Sequence, residues 1–395
     1  MTSKDSNPAL TVRKIADIEM RAINWLWKPR MALGKLNMLA GQPGLGKSQI
    51  TCHLAALVTT GGVFPDGARS PTGNVIFLTC EDDPEDTIRP RLEAAGAITD
   101  KIFLIDTVAD VVDGKPLVRG VDLSRDVSLL RDAAQKVGDV RLIIIDPISA
   151  FLGRADAHKA HEVRGLLAPL ATLAADLGAA ILMLSHLNKG SGDSNAMSRV
   201  TGSGAFIAAA RSGWLVEKDP DDEDERRRLL VPLKNNLGDD ATGFAYSLET
   251  VQLTPEIETS RVRFEGMVQM KAAELLQRQS SDCEQRSLTD DASDFLETYL
   301  EAGAQPSKDA VRAAEAEGHT AKSIRRAREK LRVVVRRAGS GKQHTSTWEL
   351  PSNALDGEND PLVPTPAHTV WRAGVPTTGT SGKLNGHTID DVELF

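Results

Sequence analysis

Lys35 to Ser48, reading KLNMLAGQPGLGKS, decides the fold. An apolar run (Leu36, Met38, Leu39, Ala40) leads straight into Gly41-Gln42-Pro43-Gly44-Leu45-Gly46-Lys47-Ser48, and the helix-forming ITCHLAALV follows. The spacing is G-x-x-x-x-G-K-[ST] with a strand before it and a helix after it, the context in which it reads as a phosphate-binding loop. Glycines let successive backbone N–H groups converge on phosphate oxygens, where a Cβ would block approach or forbid a positive φ. The helix opening near Lys47 adds its positive end. Gly41, Gln42, Pro43, Gly44, Leu45, Gly46, Lys47, Ser48 and Gln49 are therefore the candidate binding residues. Lys47 reaches the β- and γ-phosphates as a point charge and the Ser48 hydroxyl ligates Mg²⁺. An ordinary glycine-rich turn is the competing reading. The expected ligand is a nucleoside triphosphate.

Outward from this loop, Asn74 to Cys80 reads as a buried strand that ends on Glu81-Asp82-Asp83, with Pro84 as a helix start. Acidic residues at the carboxyl end of such a strand sit where an open α/β sheet places its chemistry. Glu81 is assigned as the base or orienter of an attacking water; Asp82 and Asp83 read as caps of the next helix. Leu142-Ile-Ile-Ile-Asp146 is a fully buried parallel strand that delivers Asp146 to the same edge, where it holds Mg²⁺ together with Ser48. Further elements are a strand at Lys101–Ile105, helices at Ser124–Lys136 and Ala160–Leu177, and a strand at Ala179–Ser185. His186 lies at the tip of that last strand, as a sensor of the γ-phosphate or as a structural histidine.

Leu187 to Gly204 is glycine- and serine-rich and carries Lys189 and Arg199; its length marks it as functional or mobile. Strands at Ser212–Glu217, Leu229–Leu233 and Phe244–Leu248 predict an antiparallel extension of the sheet. Lys234 follows one of them directly and could project a cation into a neighbouring subunit's site, with Arg199 and Arg211 as competitors. Trp25 and Trp27, flanking Pro29, either stack on the base or pack the lead-in segment against the core.

Composition bounds the rest. The chain has 395 residues, is 41% hydrophobic and 26% charged, and carries a net charge of −8. Its cysteines, Cys52, Cys80 and Cys283, are far apart and make no disulfide framework, which fits a reducing cytoplasm. No apolar run approaches the ~18 residues of a membrane helix, and the first residues lack the apolar core of a signal peptide. An acidic chain does not coat nucleic acid with its whole surface, but a local basic face is still open to it.

That face comes late. Residues 250–285 read as a mixed connection with a helical piece over Met270–Gln279. Helical patterns follow at Asp290–Glu301, Ser307–Glu317 and Ala321–Leu331, the last capped by Thr320. Segments Arg332–Arg336 and Thr345–Leu350 then bracket a glycine turn, as a β-hairpin. Three helices and a hairpin predict a winged helix, with Lys322, Arg325, Arg326 and Arg328 of the third helix toward DNA. Between His319 and Lys342 there are nine Lys or Arg (322, 325, 326, 328, 330, 332, 336, 337, 342) against one acid, Glu329, an electrostatic footprint for phosphate. A solvated basic helix in a protein-interaction module is the alternative. The Pro-, Gly- and Thr-rich end reads as disordered.

The P-loop, Glu81, Asp146, and His186 before a glycine-rich loop resemble the RecA-like ATPase arrangement. More narrowly, WLWKPRMALGKLNMLAGQPGLGKS, FLTCEDDPEDTIRPRLEAAG, LIIIDPISAFLG, LSHLNKG and PLKNNLG resemble the RepA-type ATPases of plasmids and phages, relatives of hexameric replicative helicases. The resemblance covers about 23–249. It implies ATP and Mg²⁺ as cofactors, a homo-oligomer with a hexamer as the form the relatives suggest, and single-stranded DNA in a central channel lined by the loops after Asp146 and His186, Lys189 and Arg199 among them. It gives Lys47, Glu81, His186 and Lys234 catalytic parts. The chain departs from several such helicases by offering Lys234 and then Asn236 where they carry an arginine.

The expected fold class is thus α/β: a RecA-like P-loop NTPase core, a mostly parallel sheet with helices on both faces and an antiparallel extension, plus a small C-terminal winged helix. The boundaries drawn are a flexible arm at 1–22, the ATPase domain at 23–265, a linker at 266–286, the winged helix at 287–351 and a disordered tail at 352–395. The expected activity is that of an ATP-hydrolysing DNA motor in the cytoplasm, a replicative helicase-type ATPase of a mobile element, with no membrane partner. An ATP-switched DNA-binding regulator and a recombinase-like filament ATPase are the rivals; no acceptor cluster or lid speaks for a small-molecule kinase.

Overall fold

The computed structural model describes residues 12–112, 115–157, 159–186, 204–238, 241–338 and 345–351. Lys189, Arg199 and Lys342, almost all of the loop after His186, the start of the arm and the tail at 352–395 lie outside the described residues. The chain divides into two compact units, Met1–Ser280 and Ser281–Phe395.

The first unit holds β1 (Trp25–Trp27), β2 (Met31–Ala32), β3 (Leu36–Gly41), α1 (Lys47–Thr60), β4 (Asn74–Thr79), a π-turn (Pro84–Ile88) running into α2 (Arg89–Ala94), and β5 (Ile102–Ile105). A hairpin of β6 (Thr107–Val112) and β7 (Lys115–Gly120) comes next, then α3 (Val127–Val137), β8 (Val140–Asp146), α4 (Ala160–Leu177), β9 (Ala180–His186) and α5 (Ala205–Ala209). It closes with β10 (Ser212–Lys218), β11 (Arg228–Asn235), β12 (Thr242–Thr254) and β13 (Ile257–Gln269), which lead into α6 (Ala272–Leu300). One nine-stranded sheet runs β13-β12-β11-β10-β3-β9-β8-β4-β5. Strands β10, β3, β9, β8, β4 and β5 are parallel, and β11, β12 and β13 extend the sheet antiparallel.

The continuous apolar runs of the parallel strands follow from cover on both faces. Met38, Ala40, Ile76, Leu78, Ile143, Ile145, Ile181 and Met183 face one core with α3, α4 and α5. Their alternates Leu39, Val75, Phe77, Leu142, Ile144, Leu182 and Leu184 face the other, with α1 and α2. Helix α4 buries Val163, Leu166, Leu167, Leu170, Leu173 and Ala174, the i, i+3, i+4 stripe that its sequence predicts.

Two expectations change here. Residues 250–269 are not a mixed connection: β12 and β13 form a long antiparallel ribbon, with Phe244 opposite Met267, Tyr246 opposite Phe264 and Leu248 opposite Val262. The ribbon packs on α1 and α2. Its outer strands alternate weakly and, beyond Tyr246, bury only Val262 fully, so the two-residue period that marks a strand is faint. Residues 266–286 hold the end of β13 and the first turns of α6. The β6–β7 hairpin was not foreseen either.

The second unit contains the later turns of α6, β14 (Gln305–Pro306), α7 (Ser307–Ala316), α8 (Ala321–Lys330), β15 (Val334–Ala338) and β16 (Thr345–Glu349). The three helices and the hairpin agree with the sequence pattern; β14, which pairs with β16, adds a third strand. Its core is Ala292, Leu296, Leu300, Ala310, Ala314, Ile324, Ala327, Val333 and Trp348. Thr320 caps α8, its hydroxyl accepting from the N–H of Ser323. Among the described residues, no helix is long and apolar enough to cross a membrane.

Candidate nucleotide site

The strand register brings the polar ends of separate strands to one edge. Gly41 of β3 pairs with His186 of β9, and Thr79 of β4 pairs with Asp146 of β8. Gly41 also lies beside β10, where a Cβ would fall 2.6 Å from the Val216 carbonyl oxygen; only glycine lets the two backbones approach so closely. Gly44 and Gly46 take φ of 78° and 90°, which turns the loop back onto the mouth of α1.

Lys47, the first residue of α1, is 6% exposed. Its Nζ donates to the carbonyls of Gly41 (3.0 Å) and Gln42 (2.9 Å) and lies 3.4 Å from Nδ1 of His186. Burial pulls the Lys47 pKa down; the negative charges of Asp146, Glu81 and Glu217 oppose that pull. Ser48 Oγ donates to Asp146 Oδ2 at 2.8 Å. Burial pushes the Asp146 carboxyl up, the Ser48 hydrogen bond works against the rise, and Glu81 adds to it. Excess carboxylate charge therefore surrounds a single buried ammonium, an environment that favours an added cation.

Glu81 stands two residues past β4 with its side chain about half exposed, and Oε1 is 3.7 Å from Nε2 of His186. His186 thus lies between Lys47 on one ring nitrogen and Glu81 on the other. Asp83 caps the following turn, accepting from the N–H groups of Glu85 and Asp86. Asp82 does not share that capping job: it pairs with Arg91 at 2.6 Å.

The remaining candidates fall into several groups. Pro43 and Gly44 form the exposed tip of the loop. The Gln49 amide donates to Ser260 Oγ (3.3 Å), so that side chain turns toward β13. Trp27 is buried, stacks on Phe64 with ring centroids 4.6 Å apart and donates to Asp66, so it packs the lead-in segment. Lys234 and Arg211 lie at the opposite end of the sheet. Lys234 pairs with Gly213, which pairs with Met38, whereas Gly41 pairs with Val216. The Lys234 amine donates to the carbonyls of Ile207, Ala208 and Ala210 at 2.9, 3.0 and 3.0 Å and so closes the end of α5. Burial, then the charge of Arg211, lowers its pKa. In the second unit Lys322 and Arg325 are exposed, with Arg325 paired to Glu329 at 3.5 Å. Arg326 is half-buried, and Arg328 turns away toward the hairpin, 5.4 Å from the Trp348 ring.

Two parts of the site escaped the sequence reading. Glu217, 3% exposed near the end of β10, contributes charge to Lys47; its signal was an acid closing a buried strand, as at Asp146. The other part is the ribbon. Tyr246 Oη donates to the Leu45 carbonyl at 2.6 Å, and Leu248 packs over Gly46. Nothing local in the sequence marks a contact across 201 positions.

Residues 4–192 match a family model described as AAA domain. The matched stretch contains the P-loop, Glu81, Asp146 and His186 and stops before Lys234 and the second unit. Together with the loop geometry, it supports a P-loop ATPase that binds and hydrolyses nucleotide.

Proposed function

We propose that the protein is an ATP-hydrolysing DNA motor of RecA-like type, related to the RepA-type ATPases and working in the cytoplasm as a ring of identical subunits. The C-terminal unit serves as a winged helix that holds DNA. The observation that carries the reading is the Ser48–Asp146 hydrogen bond beside Lys47, with Glu81 brought to the same strand-end edge. The residues fit a nucleotide with a divalent ion: glycines with positive φ open the loop, and an ammonium and a hydroxyl–carboxylate pair stand at the helix mouth. Lys47 would hold the terminal phosphates, and Ser48 and Asp146 are the residues that would hold Mg²⁺. When bound, the ion neutralises phosphate charge. Glu81 orients the attacking water and takes up its proton, and His186 links Glu81 to the lysine, so that a change at the phosphates reaches the loop after β9.

The test is ATP turnover with and without single-stranded DNA for the intact chain, Lys47→Ala and Glu81→Gln. Loss of a general base costs roughly 10²–10⁴-fold in turnover. Glu81→Gln should lose that much while still binding nucleotide, and Lys47→Ala should lose binding. Full turnover in Glu81→Gln refutes the assignment of the base. A second reading, ATP as an assembly switch with little turnover, draws on Lys234, whose amine is engaged within its own chain. It predicts tight binding and no stimulation by DNA.

A further inference from the structure

A cleft of about 470 Å³ opens in the C-terminal unit between α7 and the β15–β16 hairpin. Lys308 and Arg312 of α7, Arg328 of α8 and Arg337 of β15 line it, with Glu315 the one carboxylate among its lining residues. The Ser307 and Ser346 hydroxyls, also in its wall, hydrogen-bond to each other. Trp348 backs the cleft from the core, with the Arg328 guanidinium over its ring.

Some cations of this unit are paired within it, and others, Lys322 of the outward face among them, make no ion pair among the described residues. Arg325 pairs with Glu329, Lys330 with Asp290 and Arg336 with Glu349, all within the unit. Lys308, Arg312 and Arg337 make no ion pair among the described residues, and all three are exposed. Their placement works against the isolated fold. Lys308 and Arg312 are like charges four apart on one helix, which repel. Lys308 also lies in the first turn of α7, where the helix dipole disfavours a cation. An anion in the cleft would relieve both effects at once.

We propose that this cleft, and not the outward face of α8, makes the main contact of the unit with DNA, holding phosphates of the backbone among Lys308, Arg312, Arg328 and Arg337. The inference rests on the DNA-binding reading above. A polymer suits the site better than a free ion. The cations are exposed, so salt screens their grip on a single phosphate, whereas a DNA backbone presents several fixed charges and releases counterions as it binds. Trp348 is covered and neither Asn nor Gln lines the cleft, which leaves its cations as the groups that meet the DNA, and their assigned partners are the phosphates.

The experiment is fluorescence anisotropy of a labelled DNA duplex with the full-length protein across a salt series. The variants are K308Q/R312Q/R337Q, the outward pair K322Q/R325Q, and the charge-keeping R312K/R337K. Removing three phosphate contacts should weaken binding at least about tenfold and flatten the slope of log K against log salt by about 2 to 3. The outward pair should cost less than about threefold, and R312K/R337K should keep most of the affinity. Because the three residues are exposed and two of them work against the fold, the triple variant should melt with the parent or slightly above it; should it melt early, Arg337→Gln alone, outside any helix, must still weaken binding. Loss in the outward pair with none in the cleft variant overturns this inference and leaves the DNA reading standing. Saturable binding of inorganic phosphate that K308Q/R312Q/R337Q abolishes, with duplex affinity unchanged in that variant, overturns the backbone assignment in favour of a phosphate-ion site. An intact chain that binds no duplex at low salt overturns both.

Discussion

Tyr246→Phe removes one oxygen from a side chain with no exposed surface and leaves the ring in place. That hydroxyl donates to the carbonyl of Leu45, in a loop held between two positive-φ glycines. Burial pushes the phenol pKa up, so it stays a proton donor throughout the working range. A buried hydrogen bond contributes about 1 kcal/mol net, and stranding its acceptor costs about 1–3 kcal/mol. If the loop keeps its shape, the loss appears in stability; if the loop relaxes, it appears in nucleotide affinity. Unfolding in urea should give a stability lower by about 1–2 kcal/mol with an unchanged slope. Titration with a fluorescent nucleotide should show a Kd raised by about three- to tenfold, since 1.4 kcal/mol is a factor of ten. No cavity confuses the result, because Phe fills the same space. A variant equal to the parent in both measurements refutes the idea that the β12–β13 ribbon shapes the phosphate loop.

Two further outcomes follow from side chains that the fold engages. Lys234→Met strands three carbonyls at the end of α5; with the amine partly open to water, the cost should be about 1 kcal/mol in unfolding free energy, and turnover should fall only modestly. Abolished turnover at unchanged stability would instead give Lys234 the trans-acting role. Burial lowers the His53 pKa to about 4, with its ring against Phe264. The unfolded chain takes up this proton near pH 6.5 and the folded chain only near 4. Stability is therefore full above about pH 6.5 and declines between 6.5 and 4, by up to about 3 kcal/mol from this group. His53→Gln should flatten that limb of a pH–stability curve; an unchanged limb refutes the assignment.

What was legible in the sequence is what local rules govern. The Leu142–Ile145 stretch of β8 had to be apolar throughout because both of its faces are covered, and a run that stops at a carboxylate announces where that carboxylate goes. Glycines 44 and 46 announced the loop because the backbone there takes φ values that other residues avoid. Helix α4 spans the same Ala160–Leu177 as its apolar stripe. Sequence reading falls short where a residue's partner is remote. Lys234 reads as a cation at a strand end aimed outward, yet its partners are carbonyls of a five-residue helix that has too few positions to show a period.

Trp27 was open between base stacking and packing because the rings that settle it, Phe64, Trp214 and Phe244, come from distant strands and loops. The ribbon is the sharpest case. A strand half in water carries a weak pattern, and its consequence, a hydroxyl under the phosphate loop, depends on the register of β12 and on the approach of β13 to α1. Chemistry at strand ends is written locally because each strand must carry its own reacting group. The support beneath that chemistry is shared among elements, so it becomes readable only once the sheet order is known.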